Sequence, residues 1–323
     1  MNEIRNTKYE RRGFTLIELV VAIGVMAMVI AFAGVVFKAS IASYRIATAQ
    51  AEIMQKFRAI TDQLSSDFRG LHVGMPVFLW FEVDDSNDRF DQIMLFADGD
   101  FQSVRPYDTD MNPPHYQIPR TTGSPVVGNV ARIQYGQAKV YSPVANKYWD
   151  PNEQVGENSP DRFFNKKYRT LSRRQHILTA DPNIIPWPDP GNFINSFEPN
   201  RNDDYEHDTN SLSQWQALLN VQANQDHVMD ICFHYRPRID YQNSTGLHML
   251  MAEGVPNFMI QLTVDDPING TFSWQPENDA IKNNTLPPVF FWPRAVKFTF
   301  TLYDSQGVFK NGQTFTHIVY IGD

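Results

Sequence analysis

The 323 residues contain a single cysteine, Cys232. One thiol forms no internal disulfide, and it excludes a zinc site built from several cysteines. Cys232 sits in the apolar run VMDICFHYR and reads as a small buried core residue. A basic excess is also missing: 28 Lys and Arg face 36 Asp and Glu, for a net charge of −8. That balance argues against broad electrostatic attraction to nucleic acid. The motifs of common catalysts are absent as well. There is no G-x-S-x-G, H-E-x-x-H, C-x-x-C, G-x-G-x-x-G or Gly-rich phosphate loop. His207, His227, His234 and His248 fall at no metal-ligand spacing and read as ordinary surface or core histidines. The expectation is a protein without catalytic activity, cofactor or metal.

What the chain does have is one long apolar run. Leu19 to Phe37 is nineteen positions without a charge, close to the roughly 20 residues a helix needs to cross hydrocarbon. A secretory signal peptide is the first alternative, but its apolar stretch is usually about 7–15 residues and ends at a small-residue cleavage pattern. Here the run continues into helix-compatible sequence, KASIASYRIATAQAEIMQKFRAI. A spanning helix that emerges into water fits better. Before it stand Arg5, Lys8, Arg11 and Arg12 against Glu3 and Glu10, while Lys38 alone marks the far side. Basic residues hold the preceding end in the cytoplasm. The expectation is a single-pass protein of the inner membrane, with a cytoplasmic N-terminus, a periplasmic C-terminal body and lipid around the span.

Glu18 is the misfit. A carboxylate costs about 2.5–3.5 kcal/mol at the centre of a span and less near the interface. One reading places it at headgroup level. The other gives it a positive partner, and the rest of the span offers none. A free α-amino group would serve if the chain were cut just before Phe14, because Phe14 and Glu18 are four residues apart and share a helical face.

The stretch Arg11-Arg12-Gly13-Phe14-Thr15-Leu16-Ile17-Glu18 closely resembles the prepilin cleavage and methylation motif of type IV pilins and type II secretion pseudopilins. The resemblance covers about thirty residues. It implies cleavage between Gly13 and Phe14 by a prepilin peptidase, with the basic residues Arg11 and Arg12 in the leader. It also implies N-methylation of Phe14, and pairing of Glu18 with the N-terminal amine of a neighbouring subunit in a filament. Residues 1–13 would then be a leader. Residues 14–37 would form the membrane half of the N-terminal helix and 38–70 its amphipathic half.

Beyond the span, Ile53, Phe57, Ile60, Leu64 and Phe68 or Leu71 recur at steps of three to four, one stripe on a helix. Gly70 supplies the stop. A helix from Phe14 to Arg69 would be roughly 84 Å long. Residues 71–323 then read as a β-rich body. Strands are expected at Val77–Val83, Gln92–Ala97, Ala131–Gly136, His227–Tyr235, Asn257–Val264, Arg294–Asp304 and Thr314–Gly322. Several alternate apolar and polar residues, as half-buried antiparallel strands do. The last two are joined by SQGVFKNGQ and read as a hairpin. The predicted fold class is α+β: a long transmembrane and amphipathic helix packed on antiparallel sheet, pilin-like. Residues 143–210, dense in Pro, Asn and Asp, are expected to be an irregular excursion, with a strand or short helix in RFFNKKYRTLSRRQHILT.

Two stretches invite a ligand. DDSNDRFD (Asp84 to Asp91) and DGD (Asp98 to Asp100) gather hard oxygens. They lack the EF-hand glycine and terminal glutamate, so an acidic turn is the simpler account and bound calcium the alternative. Lys166, Lys167, Arg169, Arg173 and Arg174 lie among Phe163, Phe164 and Tyr168, the one candidate for a basic nucleic-acid stripe. On this acidic chain it is a weak one.

The size of the body resembles minor subunits. Ile60–Phe68, Ala131–Tyr135 and Pro293–Asp304 look like the J-type minor pseudopilin of type II secretion, with the W-type minor pilin of type IV pili or a competence filament next. The J-type resemblance implies a structural subunit that primes or caps a periplasmic pseudopilus driving export of folded proteins. Its implied partners are I-type and K-type minor pseudopilins, the major pseudopilin, the prepilin peptidase and the inner-membrane assembly platform.

Overall fold

The computed structural model describes residues 14–84, 88–108, 115–116, 123–154, 161–178, 206–208, 211–219, 236–242, 246–263, 274–275, 289–291 and 293–321. The expected leader with Arg11, Arg12 and Gly13, the expected strand His227–Tyr235, and Cys232 lie outside them. The first element is the helix α1 (Leu16–Arg69), 54 residues long. The strands β1 (Val77–Trp80), β2 (Gln92–Asp108), β3 (His115–Tyr116), β4 (Ser124–Gln137), β5 (Lys139–Ser142), β6 (Lys147–Trp149), β7 (Thr170–Leu178) and β8 (His207–Asp208) follow. Then come α2 (Leu212–Leu219), β9 (Arg238–Ile239), β10 (Leu250–Glu253), β11 (Phe258–Thr263), β12 (Val289–Phe291), β13 (Ala295–Leu302) and β14 (Gln313–Tyr320). The fold is α+β, a long apolar N-terminal helix with antiparallel-rich sheets.

The chain divides into two units, Met1–Ala51 and Glu52–Asp323, with the boundary inside α1. In the larger unit the principal sheet runs β10-β7-β4-β2-β1-β12, with β3 on β2 and β8 on β7. A second sheet runs β11-β13-β14 and a small third one β6-β5-β9. The helical stripe does what its spacing demands. Ile53, Ile60, Leu64 and Phe68 are buried in one cluster with Ile93 and Leu95 of β2, Ile133 of β4 and Phe298 and Phe300 of β13. Phe57 stacks on Phe315 of β14, with ring centroids 4.6 Å apart. Each such side chain, fully buried, contributes about 1.5–3 kcal/mol of transfer free energy.

Gly70 ends α1 for a steric reason. A Cβ there would sit 2.3 Å from the carbonyl oxygen of Asp98. The Asp98 N–H in turn donates to the Gly70 carbonyl at 2.6 Å. Only a residue without a side chain lets the chain leave the helix along β2 this closely.

The alternate residues of β2, Met94 and Phe96, point to the opposite face of the principal sheet and meet Phe78, Trp215 and Leu219. Thus α2 covers that face, and the continuous apolar run QIMLFA is explained by a strand buried on both sides. Residues 143–210 contribute more order than their composition predicts. Besides β6 and three 3-10 turns, they supply β7, which lies between β4 and β10 in the principal sheet. The strand tolerates its polar residues because they meet partners inside the fold. Arg173 grips Asp67 of α1 through Nε at 2.6 Å and Nη2 at 2.8 Å. Tyr135 of β4 donates its hydroxyl to the same carboxylate. One aspartate therefore ties the helix to two adjacent strands.

On the far face Arg132 of β4 meets Asp208 at 3.0 Å and lies 5.1 Å from the Trp215 ring, while Arg105 holds Glu206 at 2.7 Å. Between these acids His207 is 4% exposed, and burial pushes its pKa down to about 4 from 6.5. The unfolded chain binds this proton more readily, so stability falls as pH drops from about 6.5 to about 4. The loss from this group is at most about 3 kcal/mol. Urea unfolding of wild type and His207→Gln across that window tests it: the variant's slope against pH is expected to be shallower, and equal slopes would remove the assignment.

Candidate assembly site at the start of the N-terminal helix

The helix opens on Thr15-Leu16-Ile17-Glu18, and the local bonds follow from those residue types. The Glu18 N–H donates to Thr15 Oγ1 at 3.3 Å, while the Thr15 N–H donates to Glu18 Oε2 at 2.9 Å. The Thr15 hydroxyl donates to the same carboxylate oxygen at 2.8 Å. This is a reciprocal capping box, in which a residue before the helix and a glutamate three positions on satisfy each other's backbone donors. The negative charge also sits at the positive end of the helix dipole. The spacing T-x-x-E carries this signal in the sequence. The two readings of Glu18, at headgroup level or facing an amine, do not include this intrachain role.

Phe14 precedes the box with its side chain 87% exposed. From Leu16 to Phe37 the large apolar side chains are exposed on every side of the helix, among them Leu16, Val20, Ile23, Met28, Phe32 and Val36. A helix whose exposed side chains are apolar all round requires an apolar solvent or other helices. It is long and apolar enough to cross a membrane.

Four of the five described carboxylates in the acidic stretches lie in internal pairs. Asp84 pairs with Arg169 at 2.9 Å, Asp88 with Lys166 at 2.7 Å, and Asp91 with Arg89. Asp98 meets His72 Nδ1 at 2.7 Å. Asp84, Asp88 and Asp91 already answer to cations of the same chain. Among the described residues no group of three or more His, Cys, Asp or Glu could hold a metal ion. The basic cluster is dispersed by the same pairing. Arg169 and Arg174 are buried, Arg173 faces Asp67, and Lys167 lies 5.8 Å from the centre of the Tyr303 ring. They form no solvent-facing stripe. Of the four histidines singled out in the sequence, His207 is buried and His248 lies beside Glu206, while His227 and His234 fall outside the described residues. A cleft bounded by Glu52, Lys56, Arg162, Tyr168 and Tyr303 has its charges paired locally, Lys56 with Glu52 and Arg162 with Glu253.

The family model described as the prokaryotic N-terminal methylation motif matches residues 9–34. The chain carries a type IV pilin and pseudopilin signal. That match covers the capping box, Phe14 and most of the exposed apolar helix. No curated protein and no solved structure matches the chain. A signal of this kind implies processing by a prepilin peptidase and assembly with other pilin-like subunits, and the helix behind it supplies a membrane anchor.

Proposed function

We propose that this chain is a minor pseudopilin of a type II protein secretion system, J-type, a structural subunit that primes or caps the periplasmic pseudopilus. The observation that carries the reading is the methylation signal leading directly into a helix whose large apolar side chains are exposed. The large β-rich body and the J-type resemblance of the stretches around Ile60–Phe68, Ala131–Tyr135 and Pro293–Asp304 support the finer assignment. The prepilin peptidase cuts between Gly13 and Phe14, and Phe14 is then N-methylated. Arg11 and Arg12 keep the leader on the cytoplasmic side of the inner membrane, and the body from Glu52 onward lies in the periplasm.

The mechanism is association of helices rather than catalysis. In the membrane, Glu18 and the new amino group of Phe14 are both charges in a poor solvent. Packing helices side by side lets one chain's carboxylate neutralise the neighbour's amine. A mispaired charge in so dry a core is costly, so the pair sets the axial step between subunits. I-type and K-type minor pseudopilins, the major pseudopilin and the inner-membrane assembly platform are the expected neighbours.

Mass spectrometry of the protein isolated from its own membranes tests the processing. The expected N-terminus is Phe14 carrying one additional methyl group, and a chain still beginning at Met1 would remove the reading. Gene neighbours separate the two filament classes. A secretin beside further pseudopilin genes fits secretion, whereas a retraction motor fits a W-type minor pilin of a type IV pilus or competence filament.

A further inference from the structure

β14 is the last strand of its sheet, and no described residue pairs with its far side. The ladder fixes which backbone groups face that side. The Ile321 N–H donates to the Arg294 carbonyl at 2.8 Å, toward β13. The Thr301 N–H of β13 instead donates to Asn257 Oδ1 at 2.6 Å, toward β11, and Thr301 stands opposite Thr314. Along an antiparallel ladder these directions alternate residue by residue. Thr314, Thr316 and Ile318 therefore present N–H and C=O to the open side, and their side chains are exposed too.

The open edge is also undefended. Gln313–Tyr320 holds no Asp, Glu, Lys, Arg or proline, and all eight residues pair with β13 in unbroken register. Folded proteins usually blunt such an edge with a lysine, a proline, a bulge or a covering segment, because it templates another strand. Eight residues span about 27 Å at ~3.4 Å each. Pairing along that length buries a few hundred Å² per partner, short of the roughly 800 Å² of a free-standing interface. The edge thus suits a partner that something else already holds nearby. Subunits tethered by their helices in one membrane or filament meet that condition through effective concentration. Pairing β14 with β14 of a second copy would need a two-fold axis, which closes a dimer and cannot continue along a filament.

We propose that β14 is an assembly edge, to which an uncharged β-strand of a different, adjacent pilin-like subunit adds by backbone hydrogen bonding. The proposal rests on the assembly reading above and adds the surface through which the periplasmic bodies join. Thr316→Cys, in a Cys232→Ser background, labelled with a benzophenone maleimide in the full chain in its own membranes, probes it. Irradiation is expected to give adducts within an extended segment of a second chain that itself carries a methylation motif. Adding Thr316→Lys to a Thr314→Cys probe is expected to lower adduct yield at least tenfold with the thermal midpoint unchanged. Adducts only to a second copy or to a protein without that motif overturn the proposal, as does an unaffected yield in the lysine variant. Absence of adducts while the chain still co-isolates with pilin-like subunits overturns the edge and leaves the assembly reading standing. If it co-isolates with none, the assembly reading fails first and the edge proposal with it.

Discussion

Arg169→Ala lowers the stability of the β-rich body by about 3–5 kcal/mol, the cost of removing one partner from a buried ion pair. The Arg169 side chain is 0% exposed and that of Asp84 3%. Besides Asp84 at 2.9 Å, the guanidinium donates to the carbonyls of Pro151 at 2.8 Å, Pro256 at 3.0 Å and Gln154 at 3.2 Å. Its flat face lies 4.9 Å from the centre of the Phe90 ring, and Arg236 approaches the same ring at 5.4 Å while pairing with Glu82. Removing the guanidinium leaves the Asp84 charge buried, frees three carbonyls and opens a cavity beside Phe90. Lysine is no substitute, since a single ammonium cannot reproduce the planar fork. A domain of ordinary stability has only about 5–15 kcal/mol in total. Urea unfolding of the full chain in detergent is the measurement, with Lys147→Ala as comparison. The Lys147–Glu153 pair is about half exposed, at 3.4 Å, so its loss should cost no more than about 1 kcal/mol. Similar midpoints for Arg169→Ala and Lys147→Ala would refute the structural weight given to Arg169.

This cluster also shows where the sequence stopped being legible. Periodicity marked the Ile53–Phe68 stripe and the strands β11, β13 and β14, because each buries one face against a layer that repeats at its own period, whereas β1 was marked by a continuous apolar run buried on both faces. The lengths of β2 and β4 were not visible. Asp98-Gly99-Asp100 reads as a turn, yet β2 continues through it with a shift of register between Asp98 and Phe101 opposite β4. A bulge absorbs the extra residue, and nothing local announces it. The arginines misled for a related reason. Composition shows five basic residues between Lys166 and Arg174, but whether they face solvent or an acid depends on contacts far along the chain. Arg173 meets Asp67 and Arg169 meets Asp84, and no window of neighbouring residues contains either pair. At the helix start the opposite holds, since Thr15 and Glu18 are three residues apart and their mutual capping is a local fact.

That local fact shapes the most direct test of assembly, because the proposal gives Glu18 a second role beside the cap. Glu18→Ala removes both the cap, costing about 1 kcal/mol at the helix start, and the counter-charge for a neighbour's Phe14 amine. Glu18→Gln separates them. Glutamine serves the capping box as glutamate does, but it cannot neutralise an ammonium group. Membrane insertion is expected to be undiminished in both variants, since removing a carboxylate lowers the cost of entering lipid. Incorporation into filaments is expected to fall in both. An unpaired ammonium buried among packed helices costs about 3 kcal/mol or more, and at 1.4 kcal/mol per factor of ten that is about a hundredfold. The measurement is the fraction of full chain recovered in sheared or cross-linked filaments relative to the membrane pool. If Glu18→Gln assembles as wild type does while Glu18→Ala does not, the carboxylate acts through the cap alone. Before assembly, the capping box keeps the carboxylate satisfied by Thr15. On the proposed assembly, docking exchanges two Thr15 hydrogen bonds for one ammonium, and the difference between those two states would set the driving force at this position.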